Sequence, residues 1–213
     1  RPWIYWILGL LAIVPLVAVF CSVVGRPWFP TNDFAIIDLR TRDVLSTDSP
    51  LTGLFSRNGW NHPGPAMFYL LAPFSWINTS SASMLRIGWV LIEGVILGGA
   101  AFLAWRAGKT IFFVTIITEA LSFLALPATV HRVPWNPWMP VPMLILLLVL
   151  AMRVNIGRSR DIIGLFVVGT LMVQIHASTA PLVIAVIGWA VFVTLYDAVR
   201  SRALPDRFVS TGI

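Results

Sequence analysis

The sequence has little charge and almost no cysteine. Only 11% of its 213 residues are charged and 58% are hydrophobic, so a water-soluble core could not hide its apolar side chains. Cys21 is the single cysteine, which excludes an intrachain disulfide and a thiolate cluster. The sequence also has no glycine-rich phosphate loop, zinc-binding spacing or serine nucleophile motif. We therefore expect no bound cofactor and no nucleotide-dependent chemistry.

Apolar runs dominate what is present. We predict an all-α polytopic membrane protein, because a spanning helix needs roughly 20 apolar residues and lipid excludes open sheets. The whole chain, 1–213, forms one domain in this prediction. Six transmembrane helices are predicted, at 3–24, 84–105, 111–130, 138–152, 162–177 and 181–196. The polar stretch 26–83 forms one large loop, which contains a juxtamembrane helix at 65–77.

The net charge of +6 is distributed in short loops between apolar runs and not on one basic face. This distribution argues against a nucleic-acid partner and for orientation in a lipid bilayer. If 65–77 does not cross the membrane, the basic clusters fall on one side, which the positive-inside rule makes cytoplasmic. We then expect an inner (plasma) membrane protein with both chain ends inside and loop 26–83 outside. The residues in question are Arg1, Arg106, Lys109, Arg153, Arg158, Arg160, Arg200, Arg202 and Arg207.

The chain begins with Arg1 and not with Met. Its first apolar run is too long for a signal peptide and lacks a small-residue cleavage pattern, so it is typical of a membrane anchor. We expect a fragment or the N-terminal module of a longer protein.

Two residues in the predicted outer loop have the chemistry of a catalytic site. Asp33 lies just beyond the first apolar run, and His62 follows about 30 residues later. A carboxylate at the lipid boundary gains proton affinity, which suits a general base; an N-cap or a solvated loop residue is the alternative. His62 either binds an anion or caps the helix that follows Pro63 and Pro65.

In their order and spacing these residues resemble the GT-C superfamily of membrane glycosyltransferases, especially its protein-mannosyltransferase and aminoarabinose-transferase branch. The resemblance covers about 3–152. Asp33 stands at the acidic position after the first span, and His62-Pro63 stands at the basic-proline motif. Phe68-Tyr69-Leu70-Leu71 lies in the apolar piece, and Arg86 leads into the next span.

The resemblance implies a sugar transferase that uses a polyprenyl-phosphate-linked donor and a glycan, lipid or protein acceptor on the extracytoplasmic side. Asp33 would deprotonate the acceptor hydroxyl, which attacks the anomeric carbon with inversion. His62, Arg132 and Arg57 would stabilise the phosphate charge as the lipid leaves.

The sequence departs from the family pattern in two places. The motif has Gly64 where relatives have a second proline, and Asn136 stands where many relatives have an acidic residue. An amide is a poorer ligand for a divalent cation than a carboxylate, so we predict no metal. Asn136 could instead bind a sugar hydroxyl. Trp135 and Trp138 either stack on a sugar or mark the membrane interface. We assign His131 and His176 to the same sugar-binding or acceptor-binding group, although His176 could simply end a helix.

Two other functions stay open at this point. A transporter or flippase of a lipid-linked substrate would use Glu93, Glu119 and His176 as a polar path through the helices. A non-catalytic membrane subunit would retain the fold and hold a further membrane or soluble subunit.

Overall fold

The structure is a computed structural model that describes residues 3–78 and 81–201. The predicted cytoplasmic residues Arg1, Arg202 and Arg207 lie outside the described residues. The described part is all-helical, apart from an isolated antiparallel bridge between Phe55 and Asn61. The prediction of an all-α chain is confirmed to that extent.

Nine α-helices and one 3-10 turn occur in these two ranges. They are α1 (Trp3–Val23), α2 (Asp33–Arg42), α3 (Ala66–Ile77), α4 (Ser83–Ala107), α5 (Lys109–Ala125), α6 (Ala128–Arg132), α7 (Pro140–Asn155), α8 (Asp161–Ile175), the 3-10 turn (Ala177–Thr179) and α9 (Ala180–Ser201).

Two segments of the described chain are long and apolar enough to cross a membrane: Ser83–Ala107, which is α4, and Ala177–Arg200, which includes most of α9. Helices α7 and α8 are apolar but have only 16 and 15 residues, fewer than the roughly 20 that cross a bilayer. Helix α3 occupies the predicted juxtamembrane position and has 12 residues.

The predicted span 111–130 is interrupted in the structure. Helix α5 ends at Ala125, and Leu126 adopts an extended conformation with ψ of 148°. Pro127 follows, and a proline disfavours the helical conformation in the residue before it. The chain resumes as the short helix α6, whose His131 packs back against Phe123 of α5.

Helix α2 lies in the stretch that the sequence predicts as a polar loop. Two ion pairs stabilise it: Arg42 Nη2 lies 3.0 Å from Asp38 Oδ1, and Arg40 Nη1 lies 2.9 Å from Asp43 Oδ2. Asp33 in its first turn and the arginines in its last turn complement the helix dipole. These end charges were the available sequence signal, because α2 has no long apolar run.

Helix α7 packs at the centre of the bundle, against α4, α8 and α9. At one end, Arg153 of α7 binds Asp161 Oδ2 at 2.6 Å and the Leu103 carbonyl oxygen at 2.9 Å, which ties α7 to α8 and α4. We call this the basic end. The opposite end, here called the site end, contains α2, α3, α6 and the α8–α9 connection.

Candidate functional site

Asp33 is exposed at the first position of α2, at the site end. Its Oδ2 accepts a hydrogen bond of 3.1 Å from the indole Nε1 of Trp135. The preceding residue, Asn32, has φ of +50°, a left-handed conformation that asparagine tolerates better than most residues. The turn at Asn32 and the indole together fix the direction of the Asp33 carboxylate.

An aromatic cluster surrounds this contact. Trp135 packs edge-on against Trp138, with ring centroids 4.8 Å apart, and against Phe34 at 6.0 Å. Phe34 in turn contacts Trp28 at 5.9 Å. Both predicted tryptophans therefore lie beside Asp33, where their aromatic faces could stack on a sugar ring.

A short hairpin positions His62. The Gly53 amide donates to the His62 carbonyl oxygen at 2.9 Å, and the His62 amide donates to the Leu54 carbonyl oxygen at 3.0 Å. A Cβ at Gly53 would lie 2.7 Å from the His62 Cβ, so only glycine permits this close approach. Only 4% of His62 is exposed.

His62, His176 and Asn136 form a polar cluster in which His62 and Asn136 are buried and His176 is half-buried. The imidazole centroids are 4.8 Å apart. His62 Nδ1 accepts a 3.1 Å hydrogen bond from the Ala177 amide, and His176 Nδ1 lies 3.2 Å from the Asn136 amide nitrogen, which can only donate. With both Nδ1 atoms accepting, each neutral ring carries its proton on Nε2. The pair therefore offers two N–H donors, which suits binding to phosphate or hydroxyl oxygens.

Gly64 explains the first departure from the family pattern. Its amide donates to the Gln174 carbonyl oxygen at 3.4 Å, and the Gln174 side chain fills the space that a Cβ at position 64 would need. A proline there would also lack this amide donor. Gly64 thus lets the segment after His62 lie directly on the end of α8, which brings His62 to His176.

Three side chains of α4 hold the segment Val130–Arg132. The Trp89 indole Nε1 donates to the Val130 carbonyl oxygen at 3.1 Å, and the Arg86 Nε donates to the Arg132 carbonyl oxygen at 3.3 Å. Glu93 Oε1 lies 2.6 Å from His131 Nδ1. These α4 residues are three and four positions apart and share one helix face. Trp135 and Asn136 follow this held segment directly.

The structure buries His131 between α4 and α5. Only 2% of His131 is exposed, and its ring stacks on Phe123 with centroids 4.1 Å apart. Its Nε2 lies 3.3 Å from the Ser122 carbonyl oxygen, an acceptor, so Nε2 carries a proton. One further proton is shared between Nδ1 and Glu93, and the pair is neutral overall wherever that proton lies. His131 therefore has a structural role and is not placed to touch sugar or acceptor.

The remaining predicted residues are separated. Arg132 ends α6, next to Arg86 and beside the aromatic cluster. Arg57 is exposed in the tight turn of the hairpin, and in the described part of the chain no contact joins it to Asp33 or His62. Sequence reasoning assigned no site role to Gln174 or Arg86, although both lie among these groups.

Comparisons with known proteins found no relative of this chain. No protein-family model, curated protein or solved structure matches this chain. The site is therefore interpreted from its own geometry. It combines an oriented carboxylate, N–H donors, arginines and aromatic faces at one end of a helical bundle.

We predict that Glu93→Leu displaces the segment that carries Trp135, because it leaves His131 buried without its partner. A lost buried hydrogen bond of this kind costs about 1–3 kcal/mol. Glu93→Gln should preserve the position, since its amide can donate to Nδ1. The measurement is ¹⁹F NMR of protein labelled with 5-fluorotryptophan, with the Trp135 signal assigned by Trp135→Phe. An unshifted Trp135 signal in Glu93→Leu would show that the Glu93–His131 contact does not position Trp135.

We also predict that acid weakens the His62–His176 pair. Burial lowers the pKa of both histidines below the ordinary value of 6.5, and the charge of His176 lowers that of His62 further. The unfolded chain then binds more protons, so this stabilisation is complete above pH 6.5 and is lost as pH falls through the folded pKa values. Thermal unfolding midpoints should therefore fall between pH 7 and pH 5 more steeply in the wild type than in the double variant His62→Gln, His176→Gln. Equal slopes would refute this.

Proposed function

We propose that this chain is an integral-membrane glycosyltransferase of the GT-C type, which transfers a sugar from a polyprenyl-phosphate donor to a glycan, lipid or protein acceptor. The observation that carries the proposal is the Asp33 carboxylate, exposed and oriented by Trp135 at the end of the bundle that also holds His62, His176 and Asn136. A transporter has less support, because Glu93 is bound to His131 and does not meet His176.

The reaction needs a base, a leaving group and a means of holding the sugar. The Asp33 carboxylate takes the proton of an acceptor hydroxyl, whose oxygen then bonds to the anomeric carbon from the side opposite the phosphate. The bond between that carbon and the phosphate oxygen breaks, and polyprenyl phosphate leaves with the electron pair. Cationic and N–H donor groups stabilise the charge that develops on the phosphate.

We further propose six membrane crossings, with the site end extracytoplasmic and both ends of this chain cytoplasmic. The crossings are α1, α4, α5, α7, α8 and α9, while α2 and α3 lie on the outer membrane surface. The support is the distribution of charge: Arg106, Lys109, Arg153, Arg158 and Arg160 lie at the basic end. The short helices α7 and α8 then require local thinning of the bilayer, which costs only fractions of a kcal/mol per Å.

Asp33→Asn tests the chemistry. Asparagine keeps an oxygen that accepts the Trp135 hydrogen bond but cannot take a proton, so we expect transfer to fall about 10²–10⁴-fold with folding intact. The purified protein is incubated with a panel of synthetic polyprenyl-phosphate monosaccharides and an acceptor mixture from membranes, and released polyprenyl phosphate is quantified by mass spectrometry. The matched control is Asp48→Asn, an exposed carboxylate of the same segment. Undiminished release by Asp33→Asn would eliminate Asp33 as the base.

Cysteine labelling tests the topology independently. Because Cys21 is the only cysteine and is exposed, a Cys21→Ser background removes all native thiols. In that background, Asn58→Cys in the hairpin and Arg158→Cys at the basic end are compared in intact cells with a membrane-impermeant maleimide. We expect labelling of Asn58→Cys in intact cells and of Arg158→Cys only after permeabilisation. The reverse pattern would overturn the orientation.

A further inference from the structure

Three arginines lie near one another at the site end, where Arg86 contacts Trp28 of the aromatic cluster. Arg26 follows α1, Arg86 lies in the first turn of α4, and Arg132 ends α6. The Arg86 guanidinium lies over the Trp28 ring, 5.9 Å from its centroid, and the positive charges of Arg26 and Arg132 act on it. The Arg86 Nε also donates to the Arg132 carbonyl oxygen. Three like charges therefore share one small region.

These charges have no carboxylate partner in the described chain. The salt bridges of residues 3–78 and 81–201 use other cations: Arg40, Arg42, His131 and Arg153. The Arg132 Nε is buried and has no hydrogen-bond partner among the described residues. Arg86 and Arg132 are half-buried, and like charges near one another repel unless an anion lies between them. The arrangement therefore calls for an anionic ligand.

An apolar groove of about 360 Å³ lies between α1 and α4. Gly94 allows the close approach of the two helices, because a Cβ there would lie 2.8 Å from the Leu16 Cδ2. Val90 and Gly94 follow Arg86 at four and eight positions, on the same stripe of α4 and successively farther from the site end. The groove is lined by Leu16, Val17, Phe20, Val90, Leu91, Gly94 and Val95.

We propose that the α1–α4 groove and the three arginines together bind a single-chain lipid monophosphate. The hydrocarbon chain lies in the groove, and the phosphate lies on Arg26, Arg86 and Arg132. The planar guanidinium fork matches phosphate oxygens in paired hydrogen bonds, and the wholly apolar groove matches a chain without polar groups. One groove takes one chain, which favours a polyprenyl phosphate over a two-chain phospholipid.

This inference rests on the proposed function, in that the bound lipid is the sugar carrier, and it revises where the phosphate binds. The sequence resemblance implied that His62, Arg132 and Arg57 bind the phosphate. In the structure, the arginine group and Asp33 lie on two sides of the same aromatic cluster, linked through Trp28, Phe34 and Trp135. A sugar on the phosphate would thus be presented across the tryptophans to Asp33. The neutral histidines are left to bind sugar or acceptor hydroxyls.

The test is a binding experiment on the full chain in phosphatidylcholine nanodiscs. The probe is a polyprenyl monophosphate with a diazirine on its chain, and cross-linked peptides are mapped by mass spectrometry. We expect adducts in α1 and α4, and competition by undecaprenyl phosphate. Undecaprenol, which lacks the phosphate, and inorganic phosphate, which lacks the chain, should not compete. Equal competition by phosphatidylglycerol would overturn the single-chain assignment, and adducts elsewhere would overturn the groove.

Variants of the three arginines test whether they bind the phosphate of the lipid. Arg86→Gln with Arg132→Gln should lower labelling by about tenfold or more, as expected for lost charged hydrogen bonds. Arg26→Gln, an exposed position that does not support packing, should lower it severalfold even if the double variant fails to fold. Gly94→Leu should block the groove. The matched control Arg57→Gln, at an exposed position, should label like the wild type, and unchanged labelling in Arg26→Gln would refute the site.

The outcome separates this inference from the proposed function. Binding needs no transfer, so normal labelling together with full transfer by Asp33→Asn would remove the catalytic proposal and leave the lipid site. Loss of transfer in Asp33→Asn together with unchanged labelling in the arginine variants would support the transferase and refute the lipid site.

Discussion

The attachment of Val130–Arg132 to α4 is the constraint on which the rest of the site depends. Helix α6 is one short turn, so its last carbonyl groups have no partners within the helix, and α4 supplies side-chain donors to two of them. The Glu93–His131 pair adds a contact that carries no net charge. Lipid offers no replacement for a lost hydrogen bond, so this segment cannot slide along α4 without leaving buried polar groups unsatisfied. Trp135 and Asn136 follow this segment and are held in place by it. Their hydrogen bonds in turn orient Asp33 and His176.

The elements that depend on local sequence could be predicted, and those that depend on distant partners could not. Apolar runs indicated the positions of α4 and α9, and the apolar piece after His62 indicated α3. Helix α2 was missed because its stability comes from end charges and ion pairs in a segment with no apolar run. The burial of His131 could not be predicted, for a different reason. Its partner Glu93 lies 38 residues earlier on another helix, whereas its neighbours in sequence are those of an exposed loop.

Gly64 illustrates how a departure from a motif can follow from packing. In the pattern that the chain resembles, a second proline stiffens the approach to the juxtamembrane helix. Here Gln174 occupies the space beside position 64, and the Gly64 amide bonds to the end of α8. Rigidity therefore comes from a tertiary contact and not from a proline ring. That contact also brings His62 beside His176, so the histidine pair depends on the glycine at position 64.

Arg153 at the basic end and Arg132 at the site end both have buried guanidinium atoms, but in the described chain only Arg153 has a carboxylate partner. At the basic end, Arg153 is buried but neutralised by Asp161 and the Leu103 carbonyl oxygen, an arrangement that holds three helices together. At the site end, Arg86 and Arg132 lie close together, and the one described hydrogen bond between them uses a carbonyl group. A buried guanidinium nitrogen that has no partner among the described residues, beside a second arginine, is the pattern expected when the missing counter-ion is a ligand.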